Sequence, residues 1–344
     1  MALPSEFGAE RATGYGSRVS SRQPRRYADL SKPRASWDLR VELPEGGMRL
    51  DRFLAKRVDW KSRNELQTLI DEGRITVNGA VRKASTKLAV KDNVVVALNP
   101  GEAPDYAAVP VDVIHEDEAL LCVNKRPGIV VHPVGRHQMT NLLSALHARY
   151  RNHEDPSKDR VPHVCHRIDK DTSGCFLVAF SQKWKADVSA QFESRDVEKQ
   201  YIALVHGIPR EDEGAIDAAI RTVEEPWPVH SVDARGASAR TRWRVEERFP
   251  SRDAALVRFF PETGRTHQIR VHSAHLGHPL LCDTRYGGRG PHFAEDGDAE
   301  PVLARCALHA ARLEIRHPLT QRTIVFEAPL APDMVAAIQA FRRG

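Results

Sequence analysis

Polar side chains that lead straight into an apolar run are the first place in this 344-residue chain where chemistry is readable. Residues 166–180 read HRIDKDTSGCFLVAF, with His166, Arg167, Asp169, Lys170, Asp171, Thr172, Ser173 and Gly174 at the mouth of a strand-like segment. A strand fixes geometry, so groups at its end suit a catalytic site. Asp169 or Asp171 fits a nucleophile or a general base, and both roles need a carboxylate ionised at neutral pH. A nearby arginine would hold such a carboxylate ionised against partial burial. The bland alternative is a charged turn before a strand.

Two further segments carry candidate chemistry. Residues 264–288, GRTHQIRVHSAHLGHPLLCDTRYGG, contain His267, His272, His275 and His278. Their spacing argues against a metal site. There is no H-E-x-x-H, the positions drift around a helix that ends at Gly277-His278-Pro279, and no cysteine completes a tetrahedral set. Arg265, His267, Gln268 and Arg270 instead offer donors for phosphates and base edges. Arg270, at the start of that helix, is the candidate partner for an aspartate. In residues 198–207, EKQYIALVHG, Tyr201 opens an apolar strand. It reads as a core tyrosine, a stacking platform for a base, or a phenol placed for proton transfer.

The elements that position these groups follow from periodicity. Strand-like runs are Leu120–Asn124, Cys175–Phe180, Tyr201–Val205, Ala239–Val245, Ala254–Phe260, Leu313–Arg316 and Thr323–Phe326. Helical patterns fit Thr140–Tyr150, Gln182–Phe192, His267–Leu276 and Pro332–Arg342. Strands and helices do not alternate regularly. The expected catalytic region is therefore an α+β domain on a mixed, largely antiparallel sheet, over residues 109–344. Residues 99–108 read as a linker.

Upstream the character changes. Residues 1–97 hold 19 basic and 12 acidic residues, whereas 98–344 hold 32 and 34. The surplus marks a polyanion-binding module on a near-neutral body. Over 48–98, Leu50, Phe53 and Leu54 give a first helix ending near Val58. Leu66, Leu69 and Ile70 give a second, with Ser62 as N-cap and Gly73 as its close. Asn78-Gly79 between β-branched runs signals a tight hairpin. Residues 1–47, rich in Arg, Ser, Gly and Pro, read as a mobile basic extension. No apolar run is long enough to span a bilayer, and the N-terminus lacks the apolar core of a secretion signal. The five cysteines are scattered without a C-x-x-C pair, so a reducing cytoplasm is the default expectation. No G-x-G-x-x-G and no phosphate-binding loop is present.

Two resemblances emerge from these residues. RLDRFLAKR and SRNELQTLIDEGRITVNGAVRKAS resemble the αL RNA-binding module named after a small-subunit ribosomal protein. That likeness implies RNA contacts from Arg49, Arg52, Arg63, Arg74, Asn78, Arg82 and Lys83. HRIDKDTSG, the Lys199-x-Tyr201 segment with ALVHG, GRTHQIRVH with GHP, and the entry segment HEDEALLCVNKRPG together resemble the RluA-type pseudouridine synthases in order and spacing, over about residues 109–330. Arg126 before Pro127 departs slightly from the common entry form, with Lys125, Pro127 and Gly128 retained. The resemblance implies isomerisation of uridine to pseudouridine in RNA, without cofactor or metal. It places the family's aspartate on Asp169, its tyrosine on Tyr201 and its aspartate-pairing arginine on Arg270. It assigns RNA opening to His166 and Arg167, with Arg265, His267 and Gln268 as further substrate contacts, since the target base must leave its stack. The expected partner is ribosomal RNA of the large subunit, with transfer RNA the alternative, and the expected state is a monomer with no obligatory protein partner. A non-catalytic RNA-binding or ribosome-assembly factor on the same fold is the competing reading. Intact Asp169, Tyr201 and Arg270 argue against it.

Overall fold

The computed structural model describes residues 30, 36–58, 61–97, 105–132, 141–223, 229–290, 292 and 301–343. The N-terminal module contains β1 (Ser36–Arg40), α1 (Leu50–Arg57), α2 (Arg63–Asp71), β2 (Ile75–Val77), β3 (Ala80–Val81) and β4 (Asn93–Ala97). Ser62 caps α2 reciprocally: its hydroxyl accepts the Glu65 N–H, and the Glu65 carboxylate accepts the Ser62 N–H at 2.7 Å. Asn78 and Gly79 both take positive φ, as the tight hairpin demands. Leu50, Phe53, Leu54, Leu66, Leu69 and Ile70 close over Ile75, Val77, Val94 and Val96 to make one core.

This module is larger than the sequence reading allowed. Its sheet runs β1-β4-β2-β3, so a strand from the expected mobile extension forms one edge. The extension over 1–47 is thus corrected from Ser36 onward. Trp37 and Val41 are buried and Leu39 packs on the core, a period-two alternation hidden by the Arg- and Ser-rich residues before it. The Leu30 N–H also donates to His147 Nδ1 at 3.4 Å, in the second domain. The other residues of 1–35 lie outside the described set.

The second domain comprises β5 (Asp112–Glu116), β6 (Leu120–Lys125), α3 (Leu142–Tyr150), β7 (His163–Val164), β8 (Ser173–Ala179), α4 (Gln182–Ser194), β9 (Glu198–His206), β10 (Glu213–Asp217), β11 (Ile220–Val223), β12 (Val229–Val232), β13 (Arg240–Phe249), β14 (Ala254–Pro261), α5 (Gln268–His275), β15 (Leu308–Arg316), β16 (Thr323–Glu327) and α6 (Pro332–Arg343). Its main sheet runs β10-β13-β14-β9-β15-β8-β6-β5, with β16 on β15 and β7 on β8. Every pairing is antiparallel except β15 with β8, which bears out the mixed, largely antiparallel α+β expectation. The linker expected over 99–108 ends in a 3-10 turn, Tyr106–Ala108, whose Tyr106 is buried near α3. The strands that periodicity missed are short or largely exposed. In β10 only Ile216 is buried, and β11 exposes three of its four residues, so neither carries a clean alternation. No helix among the described residues is long and apolar enough to cross a membrane.

Candidate active site

The parallel β15–β8 pair fixes the site. It sets His309 against Ser173 and Ala310 against Gly174, at the end of β8 where the polar loop 166–172 enters. Gly174 has φ +109, and a Cβ there would lie 2.2 Å from the Ala310 carbonyl oxygen. Glycine is therefore required for the two strands to meet. The loop itself is a tight turn, in which the Thr172 N–H donates to the Asp169 carbonyl at 3.2 Å. Lys125 Nζ, at the end of β6, donates to the Lys170 carbonyl at 2.8 Å, and the Gly128 N–H donates to the same oxygen at 3.0 Å. Lys125 also donates to the Arg126 and Ile129 carbonyls. It is 2% exposed, and burial pulls its ammonium down to about 7.

One guanidinium organises the charges. Arg270, near the start of α5, forks Asp283 through Nε at 2.7 Å and Nη2 at 2.8 Å, and gives Nη1 to Asp169 Oδ2 at 3.2 Å. Asp283 is buried, whereas the Asp169 side chain keeps 28% of its surface open. Asp169 Oδ1 accepts no hydrogen bond among the described residues. The carboxylate is thus held by one oxygen and presented by the other. Asp171, left open as an alternative by residue type, is exposed and not contacted by Arg270. Burial works against the Arg270 charge, but the fork to Asp283 outweighs it and raises the guanidinium above its ordinary pKa. The guanidinium also lies 5.0 Å from the Tyr286 ring centroid.

Tyr201 and His267 complete the centre. Tyr201 lies on β9 between Phe259 of β14 and Ala310 of β15. Burial pushes its phenol up, and the charge of Asp169 adds to this. At neutral pH it is a neutral ring with a hydroxyl that has no hydrogen-bond partner among the described residues. His267 takes left-handed backbone (φ 55) just before α5. Its Nδ1 lies 2.7 Å from the Tyr286 hydroxyl and its Nε2 3.8 Å from Asp169 Oδ2. Burial lowers its imidazole to about 4, so it faces the aspartate uncharged at neutral pH. His230 on β12 meets its ring edge-on at 5.2 Å.

Most of the other candidate residues are turned to structural use. Gln268 is 4% exposed with a fully occupied amide. Its Oε1 accepts from Thr263 Oγ1 and the Arg265 N–H, and its Nε2 donates to the Arg240 carbonyl and Thr241 Oγ1. No donor remains for a base. His166 stacks on Phe192 with centroids 4.8 Å apart, and its Nε2 accepts the Leu177 N–H of β8 at 2.9 Å. Burial takes it down to about 3. Arg265 is exposed and donates to the Ser238 carbonyl. Arg167 is exposed, with no hydrogen bond or ion pair among the described residues. His272 is buried between Thr241 and the Ala218 carbonyl, and His278 lies 2.9 Å from the His206 carbonyl, so the histidines of this segment diverge. Residue-type reasoning did not place Asp283 against Arg270 and did not single out Tyr286, the two further residues of this centre. Their signal was an acidic and an aromatic side chain just after the buried pair Leu280-Leu281, within a segment already singled out.

In the N-terminal module, Arg49, Arg82 and Lys83 line a groove of about 430 Å³ between α2 and the segment after β3. Arg52 and Arg63 are exposed outside its lining, and Arg74 pairs with Glu72 at 3.4 Å. Asn78 is occupied: its amide donates to Asp92 at 2.8 Å and its carbonyl accepts the Asn93 N–H at 2.8 Å.

Against this geometry, residues 119–275 match the RNA pseudouridylate synthase family and residues 48–94 the S4 domain. The chain is 36% identical over 308 residues to an RNA pseudouridine synthase, YlyB, of Bacillus subtilis, covering 89% of this chain and 98% of that one. It is 36% identical over 305 residues to ribosomal large subunit pseudouridine synthase D of Nitrosomonas europaea, covering 86% of this chain and 85% of that one. In structure it is similar to human RNA pseudouridylate synthase domain containing 4, with TM-score 0.51, 22% identity, and coverage of 67% of this chain and 93% of the human one.

Proposed function

The chain belongs to the RluA-type RNA pseudouridine synthases, which are isomerases, and we propose that Asp169 is the carboxylate its isomerisation of uridine uses. The observation that carries this is the divided aspartate, with one oxygen on Arg270 and the other open. The open oxygen attacks the anomeric carbon as the glycosidic bond to ring nitrogen one breaks, a role akin to a glycosidase nucleophile. The uracil turns, its carbon five bonds to the anomeric carbon as the ester bond to Asp169 breaks and the carboxylate is regenerated, and the proton at carbon five leaves while ring nitrogen one regains one. No electrons are exchanged overall. Tyr201 packs beside the ring as a neutral phenol, and His267 offers an uncharged imidazole to its edge. Arg167, exposed at the loop and without an ion pair among the described residues, fills the gap left by the flipped nucleotide.

Large-subunit ribosomal RNA is the substrate class this reading favours. It is supported by the S4 domain and by relatives named as ribosomal large subunit pseudouridine synthases. The test is pseudouridine mapping of total RNA from cells with the gene, without it, and with Asp169→Asn. A site lost in the deletion and not restored by Asp169→Asn fits the reading. A missing site in transfer RNA would redirect the substrate, and restoration by Asp169→Asn would remove the aspartate from the chemistry.

A further inference from the structure

We infer that Arg305, anchored on Asp333 of α6, is a positioning residue that sets the aspartate-bearing loop against Arg270; this rests on reading Asp169 as the reacting carboxylate. Arg305 precedes β15 and is 11% exposed. Its Nε and Nη2 fork Asp333 at 2.6 and 2.9 Å. Its Nη1 donates to the carbonyls of Asp171 at 2.9 Å, Leu308 at 3.1 Å and Cys306 at 3.2 Å. Its Nη2 also donates to Ser173 Oγ at 3.1 Å. One planar group therefore ties the loop after Asp169, the start of β15 and the first turn of α6 together.

The hydrogen-bond directions agree along the chain of contacts. The Ala328 carbonyl can only accept, so His309 Nε2, 3.2 Å away, carries the proton. His309 Nδ1 is then an acceptor, and the Ser173 hydroxyl donates to it at 2.9 Å while accepting from Arg305. Burial lowers His309 to about 4, which fits this neutral tautomer. On the far side, α6 is fixed by Met334, Ala337, Ile338 and Phe341 in a core shared with Leu204 and Leu281. The clamp thus refers the loop to a rigid layer.

Two anchors hold the turn from different elements. Lys125 holds the Lys170 carbonyl from β6, and Arg305 holds the Asp171 carbonyl from β15 and α6. Asp169 precedes both, while its partner Arg270 is fixed separately by Asp283. Loosening Arg305 moves the nucleophile relative to its arginine without removing an RNA contact. A shift of about 1 Å in a reacting group costs up to ~100-fold in rate.

The test uses total RNA labelled with tritium at uridine carbon five, taken from cells lacking the gene. Single-turnover tritium release gives the maximal rate and the enzyme concentration for half of it. Asp333→Asn and Arg305→Lys are expected to lower the rate ~10–100-fold and to leave the half-saturating concentration within about twofold. The double variant falls no further than the worse single one, because both act through one clamp. Guanidinium added to Arg305→Gly, at concentrations that leave the wild type unaffected, restores part of the rate. Asp333→Asn is nearly isosteric at a carboxylate 30% exposed, so it keeps the fold even if the arginine variants do not. A wild-type rate in Asp333→Asn beside an inactive Asp169→Asn overturns the clamp alone. An active Asp169→Asn overturns the reading of the aspartate beneath it.

Discussion

The two domains use arginine in opposite ways. In the N-terminal module, Arg82 and Lys83 are exposed and carry their charge into a solvent-open groove. In the catalytic domain, Arg270 and Arg305 are 14% and 11% exposed, and their donors go to carboxylates, carbonyls and a hydroxyl of the protein itself. Capture of a polyanion needs mobile cations that release counterions. Chemistry needs a carboxylate in one place, and there a planar fork is worth more than its charge. The surplus of basic residues in the first third therefore marks the proposed site of RNA capture, not the proposed site of reaction.

The sharpest way to break this contrast is at the proposed nucleophile. Asp169→Asn is expected to reduce turnover by ~10³-fold or more while RNA affinity stays within about threefold. Wild-type turnover, measured by tritium release, would sink the assignment. Next comes the fork. Arg270→Gln leaves Asp283 buried without its cation, so urea unfolding should show a loss of about 3–5 kcal/mol. Activity should drop ~10²-fold or more in the same variant. An unchanged unfolding midpoint would mean that the buried carboxylate finds another partner.

A third effect concerns proton uptake. His166 falls from an ordinary 6.5 to about 3 on folding because it is buried. Between those values the unfolded chain binds a proton that the folded chain does not. Stability therefore rises with pH through this window and is lost as pH falls below 6.5. His166→Asn, whose carbonyl can still accept the Leu177 N–H, should lower the slope of stability against pH between 6.5 and 5 by up to about 1 kcal/mol per pH unit. An identical slope in the variant would show that His166 is not the group responsible. The smallest effect belongs to the module. Arg82→Gln and Lys83→Gln should each reduce the salt slope of RNA binding by ~0.7–0.9 and leave turnover at saturating RNA unchanged. An unchanged slope would place the electrostatic anchor elsewhere.

Much of the fold was legible because its strong elements are self-announcing. β6, β8, β9, β14 and helices α2, α4 and α6 lie where apolar periodicity put them, within a few residues. The misses have two causes. β1 sits behind a basic, low-periodicity stretch and is recruited by β4, a partner more than fifty residues away. β10 and β11 are mostly exposed, so their identity comes from pairing and not from pattern. The site divides in the same way. Asp169 and Arg270 meet across 101 residues of chain, as their motifs implied. Gln268, His166 and Asn78, equally conspicuous polar residues, spend their hydrogen bonds on the backbone or on neighbouring side chains.

The sequence by itself determined the composition of the molecule: a basic RNA-binding module joined to an α+β isomerase whose motifs bear the proposed reactive side chains. Residue type and spacing suffice for that, because local propensity and family pattern are both written along the chain. Only the tertiary structure decided which polar groups remain available. Hydrogen bonds saturate, so a donor given to a carbonyl or a buried carboxylate is withdrawn from substrate, and that allocation depends on residues up to a hundred or more positions away. Among the described residues Asp169 keeps one oxygen without a donor because Asp283 takes most of Arg270, and its loop is held because Lys125 and Arg305 donate hydrogen bonds to the carbonyls that follow it.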